Sequence, residues 1–205
     1  SGLVGSEMCI RDRSHLLPKR QKLTRGHHAA MAYNDVPDFM AVLRERNTVS
    51  CRALEWTILT AARTNETLGA TWDEIDFDAG VWTVPASRMK AGREHKVPIC
   101  SRALSMLAEL KTLEGNYVFP GRSGKPLSNM AMEMVLRRMG HGNVTTHGMR
   151  SAFRDWAGNE THFPREVCEA ALAHTLQGVE AAYRRGDALE KRRALMEAWA
   201  GHCEG

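Results

Sequence analysis

Four separated segments of this 205-residue chain combine cationic, histidine and tyrosine side chains in a pattern that suits phosphate chemistry. They are residues 60–66 with Arg63, a polar turn with Lys90, residues 147–150 with a histidine and an arginine, and residues 172–174 followed nine positions later by Tyr183. Arginine binds phosphate oxygens through two parallel hydrogen bonds and keeps its proton at ordinary pH. These segments therefore contain candidate phosphate-binding side chains.

Each of these residues also has an ordinary structural interpretation. A lone arginine at a helix end is more often an exposed cation, and a lysine in a turn is usually solvated. Three other cations lie close to Lys90 in sequence and compete with it for any role: Arg88, Arg93 and Lys96. A histidine near a helix end is often a packing residue, and a tyrosine is often half-buried. The combination, and not any one residue, points to a site.

The elements that must position these segments are mainly helices. Apolar positions and capping residues predict a helix that Asn34 or Asp35 caps, a short helix with Glu66 and Leu68, and further helices near 50–62, 101–113, 128–138, 146–159, 164–173, 178–183 and 187–200. Ser101 and Ser128 are the expected caps of two of them. Alternating β-branched and aromatic residues predict strands at 73–77, 80–85 and 95–99. The expected fold class is mainly α with a small three-stranded antiparallel sheet.

Composition is that of an ordinary globular protein, and its charge is concentrated at one end. Residues 1–28 contain six basic and two acidic residues, a surplus that equals the whole net charge of +4. We interpret residues 1–14 as a non-native leader that resembles a translated adapter, and the rest of 1–28 as a basic linker. This linker is either a disordered tail, which we favour, or a DNA-binding arm. Residues 29–205 then form one domain. The five scattered cysteines include no CxxC pair, so we expect reduced thiols and no metal site.

In their order along the chain, the four segments resemble the active-site motifs of tyrosine recombinases, most closely the integrases of prophages and genomic islands. The flanking sequences are similar too: TWDEIDFDAGVWTVPASRMK, REHKVPI, FPGRSGKPLSNMA, THGMRSAFRDWA and AYRRGDALEKRRALMEAWA. The resemblance extends over about residues 29–203. It implies the tyrosine recombinase catalytic-domain fold and an enzyme that cleaves and rejoins DNA.

The resemblance also implies a role for each residue. Tyr183 matches the nucleophile that forms a 3′-phosphotyrosyl bond and frees a 5′-hydroxyl. Arg63 and Arg150 match the arginine pair that binds the non-bridging phosphate oxygens, and Lys90 matches the lysine that protonates the leaving oxygen. His147 corresponds to the histidine that assists proton transfer at the tyrosine, and His174 to the second histidine, which donates to the phosphate. Glu66 matches a carboxylate that braces an arginine or the neighbouring backbone.

The residue types fit this chemistry. A tyrosine with a pKa near 10 is about 99.9% protonated at neutral pH, so it needs local help to attack. Fixed cations stabilise the negative charge that the transition state places on oxygens. Phosphodiester energy is retained in the phosphotyrosine, so we expect neither ATP nor another cofactor, and the chain has no GxxxxGK[ST] motif.

The resemblance has two departures. Related sequences often carry Pro-Gly after the first arginine, where this chain has Thr64 and Asn65. The core-binding and arm-binding domains of a full integrase are not recognisable, so the chain resembles a catalytic fragment. Two other functions stay open, namely a catalytically silent DNA-binding remnant of an integrase and a type IB topoisomerase-like enzyme that relaxes supercoils.

The implied partners are double-stranded DNA and, on DNA, other integrase protomers that form a tetramer in the synapse. Without DNA we expect a monomer in the bacterial cytoplasm and no membrane association. The carboxy-terminal helix near 187–200 docks either on a neighbouring protomer or on its own domain. The arginine pairs at 184–185 and 192–193 are expected to form a solvated face, with contact to the DNA backbone or to a neighbouring subunit as the alternative for some of them.

Overall fold

The structure, a computed structural model, describes residues 29–112, 115–174 and 188–205. Within these ranges the chain forms α1 (Val36–Arg44), α2 (Val49–Thr60), α3 (Thr64–Leu68), α4 (Ser101–Leu110), α5 (Ala131–Arg138), α6 (Thr146–Glu160), α7 (Arg165–Ala171) and α8 (Leu189–His202). The predicted class, mainly helical with one small sheet, is confirmed. The helix expected at 178–183 and Tyr183 itself lie outside the described residues.

The sheet is antiparallel and has the order β1 (Ile75–Asp76), β2 (Val81–Val84) and β3 (His95–Pro98). Its register pairs Trp82 with Val97 in the middle of β2 and β3. All three strands are shorter than the sequence predicts. The polar segment between β2 and β3 carries Lys90, so the sheet presents this lysine on a connecting turn.

Helix α2 lies at the centre of the core. The hydroxyl oxygen of Thr48 caps it by accepting a hydrogen bond from the backbone of Cys51. Trp56 is fully buried and packs against Trp82 with ring centroids 5.4 Å apart. Every residue of α2 from Ala53 to Thr60 is buried, including the polar Glu55, Thr57 and Thr60, so this helix is enclosed by the rest of the domain.

Helix α8 packs on its own domain. Leu195, Met196 and Trp199 are buried, and the Trp199 indole donates a hydrogen bond of 2.8 Å to the carbonyl of Ile58 in α2. Of the two docking alternatives for this helix, the structure has the intramolecular one. The expected solvated face is wrong for Arg192, which is fully buried and donates to the carbonyl of Lys96 in β3.

Two predicted helix caps are also wrong. Helix α4 begins at Ser101 and not after it, and both the backbone N–H and the hydroxyl of Ser101 donate to the carboxylate of Glu197 in α8. Helix α5 begins at Ala131, three residues later than Ser128. In both places a tertiary contact or a preceding turn replaces the local side-chain cap. No helix in the described ranges is long and apolar enough to cross a bilayer.

Candidate active site

Arg63 occupies the junction between α2 and α3, where its backbone is extended. Glu66, one turn into α3, accepts a hydrogen bond of 3.0 Å from the Arg63 backbone N–H and forms a 2.7 Å ion pair with its guanidinium. Glu66 is itself buried. The prediction that this carboxylate braces an arginine or the backbone is confirmed, since it does both.

Arg150 meets Arg63 at one backbone carbonyl. The Nη2 atom of Arg150, in α6, donates to Leu172 O at 2.7 Å, and Nη2 of Arg63 donates to the same oxygen at 3.4 Å. Arg150 is 5% exposed. Burial and the neighbouring charge of Arg63 lower the pKa of Arg150 to about 10, against the opposing effect of Glu66. A pKa of about 10 leaves the Arg150 guanidinium cationic near neutral pH, and this group lies beside that of Arg63 at the shared carbonyl.

Two alanines with left-handed backbone orient carbonyls that accept hydrogen bonds from these arginines. Ala61, the residue after α2, has φ of 48°, and its carbonyl accepts a hydrogen bond from Arg150. Ala173, beyond α7, has φ of 50°, and its carbonyl accepts a bond of 3.5 Å from Arg63. Left-handed backbone is unfavourable for a residue with a Cβ atom, by about 1–2 kcal/mol. The arrangement of the arginines thus includes two unfavourable backbone conformations.

Two adjoining recesses open over Arg63. One, of about 430 Å³, is lined by Arg63, Lys90 and His147 together with Thr64, Asn65, Glu66, Arg88 and Met89. The other, of about 510 Å³, is lined by Arg63, Lys90 and His174 together with Ala91, Glu169 and Ala173. Because both recesses share Arg63 and Lys90, they form one cationic groove with a histidine at each end.

His147 is an exposed residue in the first turn of α6. The hydroxyl oxygen of Thr145 caps this helix by accepting a hydrogen bond of 2.9 Å from the backbone of Gly148. The first turn of a helix carries backbone N–H groups that favour an anion. His147 therefore brings its ring and a weakly positive helix end to the same edge of the groove.

His174 follows α7 and is held by that helix. Its backbone N–H donates to the carbonyl of Glu169 at 2.9 Å, and its Nδ1 atom lies 2.7 Å from the Glu169 carboxylate. The other carboxylate oxygen of Glu169 accepts a bond of 2.6 Å from Arg154 in α6. The position of His174 therefore depends on two helices.

The structure brings five of the six predicted site residues into one region. Lys90, His147 and His174 line the groove with Arg63, whereas Arg150 lies at the shared carbonyl and is not among the described lining residues. Tyr183 lies outside the described residues. Arg88, one of the three cations close to Lys90 in sequence, also lines the first recess. Its guanidinium pairs with Glu74 and donates to the carbonyl of Glu66 at 2.9 Å, so Arg88 supports neighbouring residues.

The sequence did not indicate three features of this region. They are the hydrogen bond from Arg88 to the Glu66 carbonyl, the contact of Glu169 with His174, and the contact of Arg154 with Glu169. Glu169 lies five residues before His174, a spacing with no local structural signal once the helix has ended. Arg154 is one turn after Arg150 on α6, which was a usable signal for a shared helix face. Within the described ranges no group of histidine, cysteine and carboxylate side chains is arranged to hold a metal ion.

The chain is also similar in sequence to known proteins. The profile of the phage integrase family matches residues 30–188. The chain belongs to the phage integrase family. Prophage integrase IntA of Escherichia coli (strain K12) is 41% identical over 175 residues, which is 82% of this chain and 42% of IntA. Tyrosine recombinase XerC of Xylella fastidiosa (strain M23) is 33% identical over 109 residues, which is 49% of this chain and 36% of XerC.

Solved structures of tyrosine recombinases have the same catalytic-domain fold as this chain. A lambda integrase dimer (residues 75–356) bound to a COC′ core site superimposes with a TM-score of 0.60 at 16% identity, over 77% of this chain and 62% of that one. The chain spans less than half the length of IntA and XerC.

Proposed function

We propose that this chain is the catalytic part of an integrase that cleaves and rejoins double-stranded DNA through a 3′-phosphotyrosyl bond to Tyr183. The observation that supports the proposal most strongly is the convergence of Arg63 and Arg150 on the Leu172 carbonyl, beside a groove lined by Lys90 and two histidines. Such a cluster of cations suits one phosphodiester group.

In the proposed reaction the Tyr183 oxygen attacks phosphorus, and the bond from phosphorus to the 5′-oxygen breaks. His147 assists removal of the tyrosine proton, and Lys90 gives a proton to the leaving 5′-oxygen. Arg63, Arg150 and His174 bind the non-bridging oxygens, whose negative charge increases in the transition state. Attack by the 5′-hydroxyl of a second strand reverses these steps and completes strand exchange without an external energy source.

The bracing of the arginines supports this assignment. A positioned cation stabilises a transition state best when it does not have to move during the reaction. Arg63 is held by Glu66 and by two carbonyls, and Arg150 is held by two carbonyls, before any phosphate arrives. The groove is therefore arranged in advance for an anion.

The proposed partners follow from the family. The integrase is expected to act on double-stranded DNA, as a monomer in the bacterial cytoplasm that assembles with other protomers into a tetramer in the synapse. Residues 29–205 are the proposed catalytic domain, preceded by the basic linker, and the core-binding and arm-binding domains are the proposed remainder. Because phosphate contacts release counterions, DNA binding should weaken steeply as salt increases.

A selection for covalent adducts tests the proposal and does not require the attachment site to be known. The chain is incubated with nicked duplexes of randomised sequence, in which cleavage next to the nick releases a short strand and prevents rejoining. We expect a protein–DNA adduct that resists denaturation and enriches one sequence. Tyr183→Phe should abolish it, because the nucleophile is lost, and Tyr117→Phe, the matched control, should not.

Three results would contradict the proposal. An adduct that persists in Tyr183→Phe removes Tyr183 as the nucleophile. Binding to a selected duplex without any adduct supports the silent DNA-binding remnant. Adducts that show no sequence enrichment, together with relaxation of supercoiled plasmid, support the type IB topoisomerase alternative.

A further inference from the structure

Glu169 lies between a candidate catalytic histidine and a cation, in a position that the proposed mechanism does not use. The residue is 8% exposed, and its carboxylate has one oxygen 2.7 Å from Nδ1 of His174 and the other 2.6 Å from Nε of Arg154. Glu169 also lines the same recess as His174, Arg63 and Lys90. This carboxylate is therefore both in contact with the histidine ring and next to the cationic groove.

The charge state of Glu169 determines the direction of the hydrogen bond. Burial by itself raises the pKa of this carboxyl, but hydrogen bonds from His174 and Arg154 outweigh burial and hold the pKa below its ordinary value. At neutral pH the group is thus a carboxylate, which only accepts hydrogen bonds. The proton of the short contact must then reside on Nδ1 of His174.

We propose that Glu169 is a positioning residue that fixes the ring of His174 with Nδ1 protonated and the Nε2 edge directed to the phosphate. This inference rests on the proposed function. The two ring nitrogens lie on different edges, so a bond at Nδ1 leaves Nε2 for the recess. A carboxylate that accepts the second N–H is the usual way in which proteins set the orientation of a functional histidine.

The carboxylate also balances charge. For Nε2 to donate to a phosphate oxygen, the ring must carry a proton on both nitrogens. Among the residues that the structure describes, the charged groups that face the ring or its recess are Arg63, Lys90, Arg154 and Glu169, of which Glu169 alone is negative. Glu169 is therefore the negative charge that these residues place against a ring that donates from both nitrogens.

A purely structural role for Glu169 makes a different prediction. If the carboxylate only joined α6 to α7 through Arg154, its loss would lower stability and would affect catalysis independently of His174. If it acts through His174, its loss should have no effect once that ring has been removed. A double-mutant cycle separates the two roles.

The cycle uses single-turnover adduct formation on a duplex from the selection described above. Glu169→Gln should slow adduct formation by about 10- to 100-fold, the cost that loss of such a carboxylate has for metal-bound histidines. The DNA concentration at half-saturation should not change, because the neutral side chain keeps nearly the same shape. In a His174→Ala background the same substitution should have no further effect. Glu169→Asp should recover part of the rate, and Glu166→Gln, an exposed carboxylate on the same helix, is the matched control.

A second measurement does not depend on cleavage. Nitrogen-15 NMR of the histidine ring reports which nitrogen carries the proton in the chain without DNA. We expect Nδ1 of His174 to be protonated, and we expect a mixture of tautomers in Glu169→Gln, because an amide both donates and accepts. Addition of inorganic phosphate should shift the Nε2 resonance in the wild type more than in Glu169→Gln.

The outcomes of the two proposals are distinguishable. A wild-type chain that shows the expected tautomer but forms no adduct contradicts the proposed function. A wild-type chain that forms adducts contradicts the positioning role in either of two cases: Nδ1 of His174 carries no proton, or Glu169→Gln is equally harmful with and without the histidine. An unchanged adduct rate in Glu169→Gln also overturns the positioning role.

Discussion

At the scale of single residues, the candidate site consists of cations held by carboxylates and by backbone carbonyls. Glu66 holds Arg63, Glu74 holds Arg88, and Glu169 holds His174. The sequence could predict the cations from their types and order, and it could predict Glu66 because the resemblance to tyrosine recombinases implies a bracing carboxylate at this position. It could not predict Glu169, because the path of the chain after α7 depends on a left-handed alanine.

The assignment of Lys90 leads to a prediction about the leaving group. Lys90→Ala should slow adduct formation by about 100-fold or more, since a positioned general acid contributes on the order of 10²–10⁴. A substrate with sulfur in place of the 5′-oxygen should restore most of the rate, because a thiolate leaves without a proton. The measurement is single-turnover adduct formation on both substrates.

Lys96→Ala is the control for this prediction. Lys96 is an exposed residue of β3 and does not line either recess among the described residues. A normal rate in Lys96→Ala and rescue of Lys90→Ala by sulfur are both expected. A Lys90→Ala chain that the sulfur substrate fails to rescue would mean that Lys90 is not the proton donor.

At the scale of elements, hydrophobic periodicity predicted the helices well and the precise ends less well. The expected helix at 146–159 agrees with α6, whereas the expected caps Ser101 and Ser128 are wrong. Ser101 donates instead to Glu197 of α8, and a turn in which the Ala131 N–H donates to the Ser128 carbonyl precedes α5. The start of α6 is fixed by a tertiary contact that the sequence does not indicate. There the carbonyl of Ala29 accepts hydrogen bonds from the backbone N–H of Thr145 at 3.1 Å and from its hydroxyl at 3.4 Å.

A pair of glycines in α6 tests this contact. A Cβ atom on Gly148 would overlap the carbonyl of Ala29, so Gly148→Ala should displace residues 29–30 and lower the free energy of unfolding by about 1–3 kcal/mol. In Gly158→Ala the new Cβ meets only Arg154 at 3.7 Å, so the same change should raise that free energy by about 0.5–1 kcal/mol. Urea denaturation measures both, and equal effects of the two substitutions would show that Ala29 does not restrict α6.

At the scale of the whole molecule, three helices are joined by one buried carboxylate. Glu55 in α2 forms ion pairs with Arg44 of α1 at 2.9 Å, with Arg52 of its own helix at 3.1 Å and with Arg102 of α4 at 2.9 Å. Glu55 is 1% exposed. The balanced composition of residues 29–205 gave no sign of such a cluster, because arginines and glutamates that are far apart in sequence meet only in the folded chain.

This cluster predicts a dependence of stability on pH. Burial alone raises the pKa of Glu55, but the hydrogen bonds and charges of Arg102 and Arg44 outweigh it and hold the pKa below the ordinary value. Its stabilisation is therefore present above the unfolded pKa of about 4.3 and is lost as pH falls through the folded pKa. Glu55→Gln should lower the free energy of unfolding by about 3 kcal/mol at neutral pH.

Urea denaturation between neutral and acidic pH checks the prediction. The difference in stability between wild type and Glu55→Gln should shrink below about pH 4.3, because the wild-type carboxylate becomes protonated. Glu45→Gln, at an exposed carboxylate, is the matched control. A difference that stays constant down to the acid transition would mean that Glu55 contributes through packing and not through its charge.

In the proposed function, the cations around Arg63 and Arg150 bind one phosphate, which Tyr183 attacks. Mass spectrometry of the wild-type adduct tests this proposal most directly, after nuclease and protease digestion have reduced the adduct to a peptide with a linked nucleotide. We expect the nucleotide to be joined through its 3′-phosphate to Tyr183. A nucleotide on any other residue, or one joined through a 5′-phosphate, would contradict it.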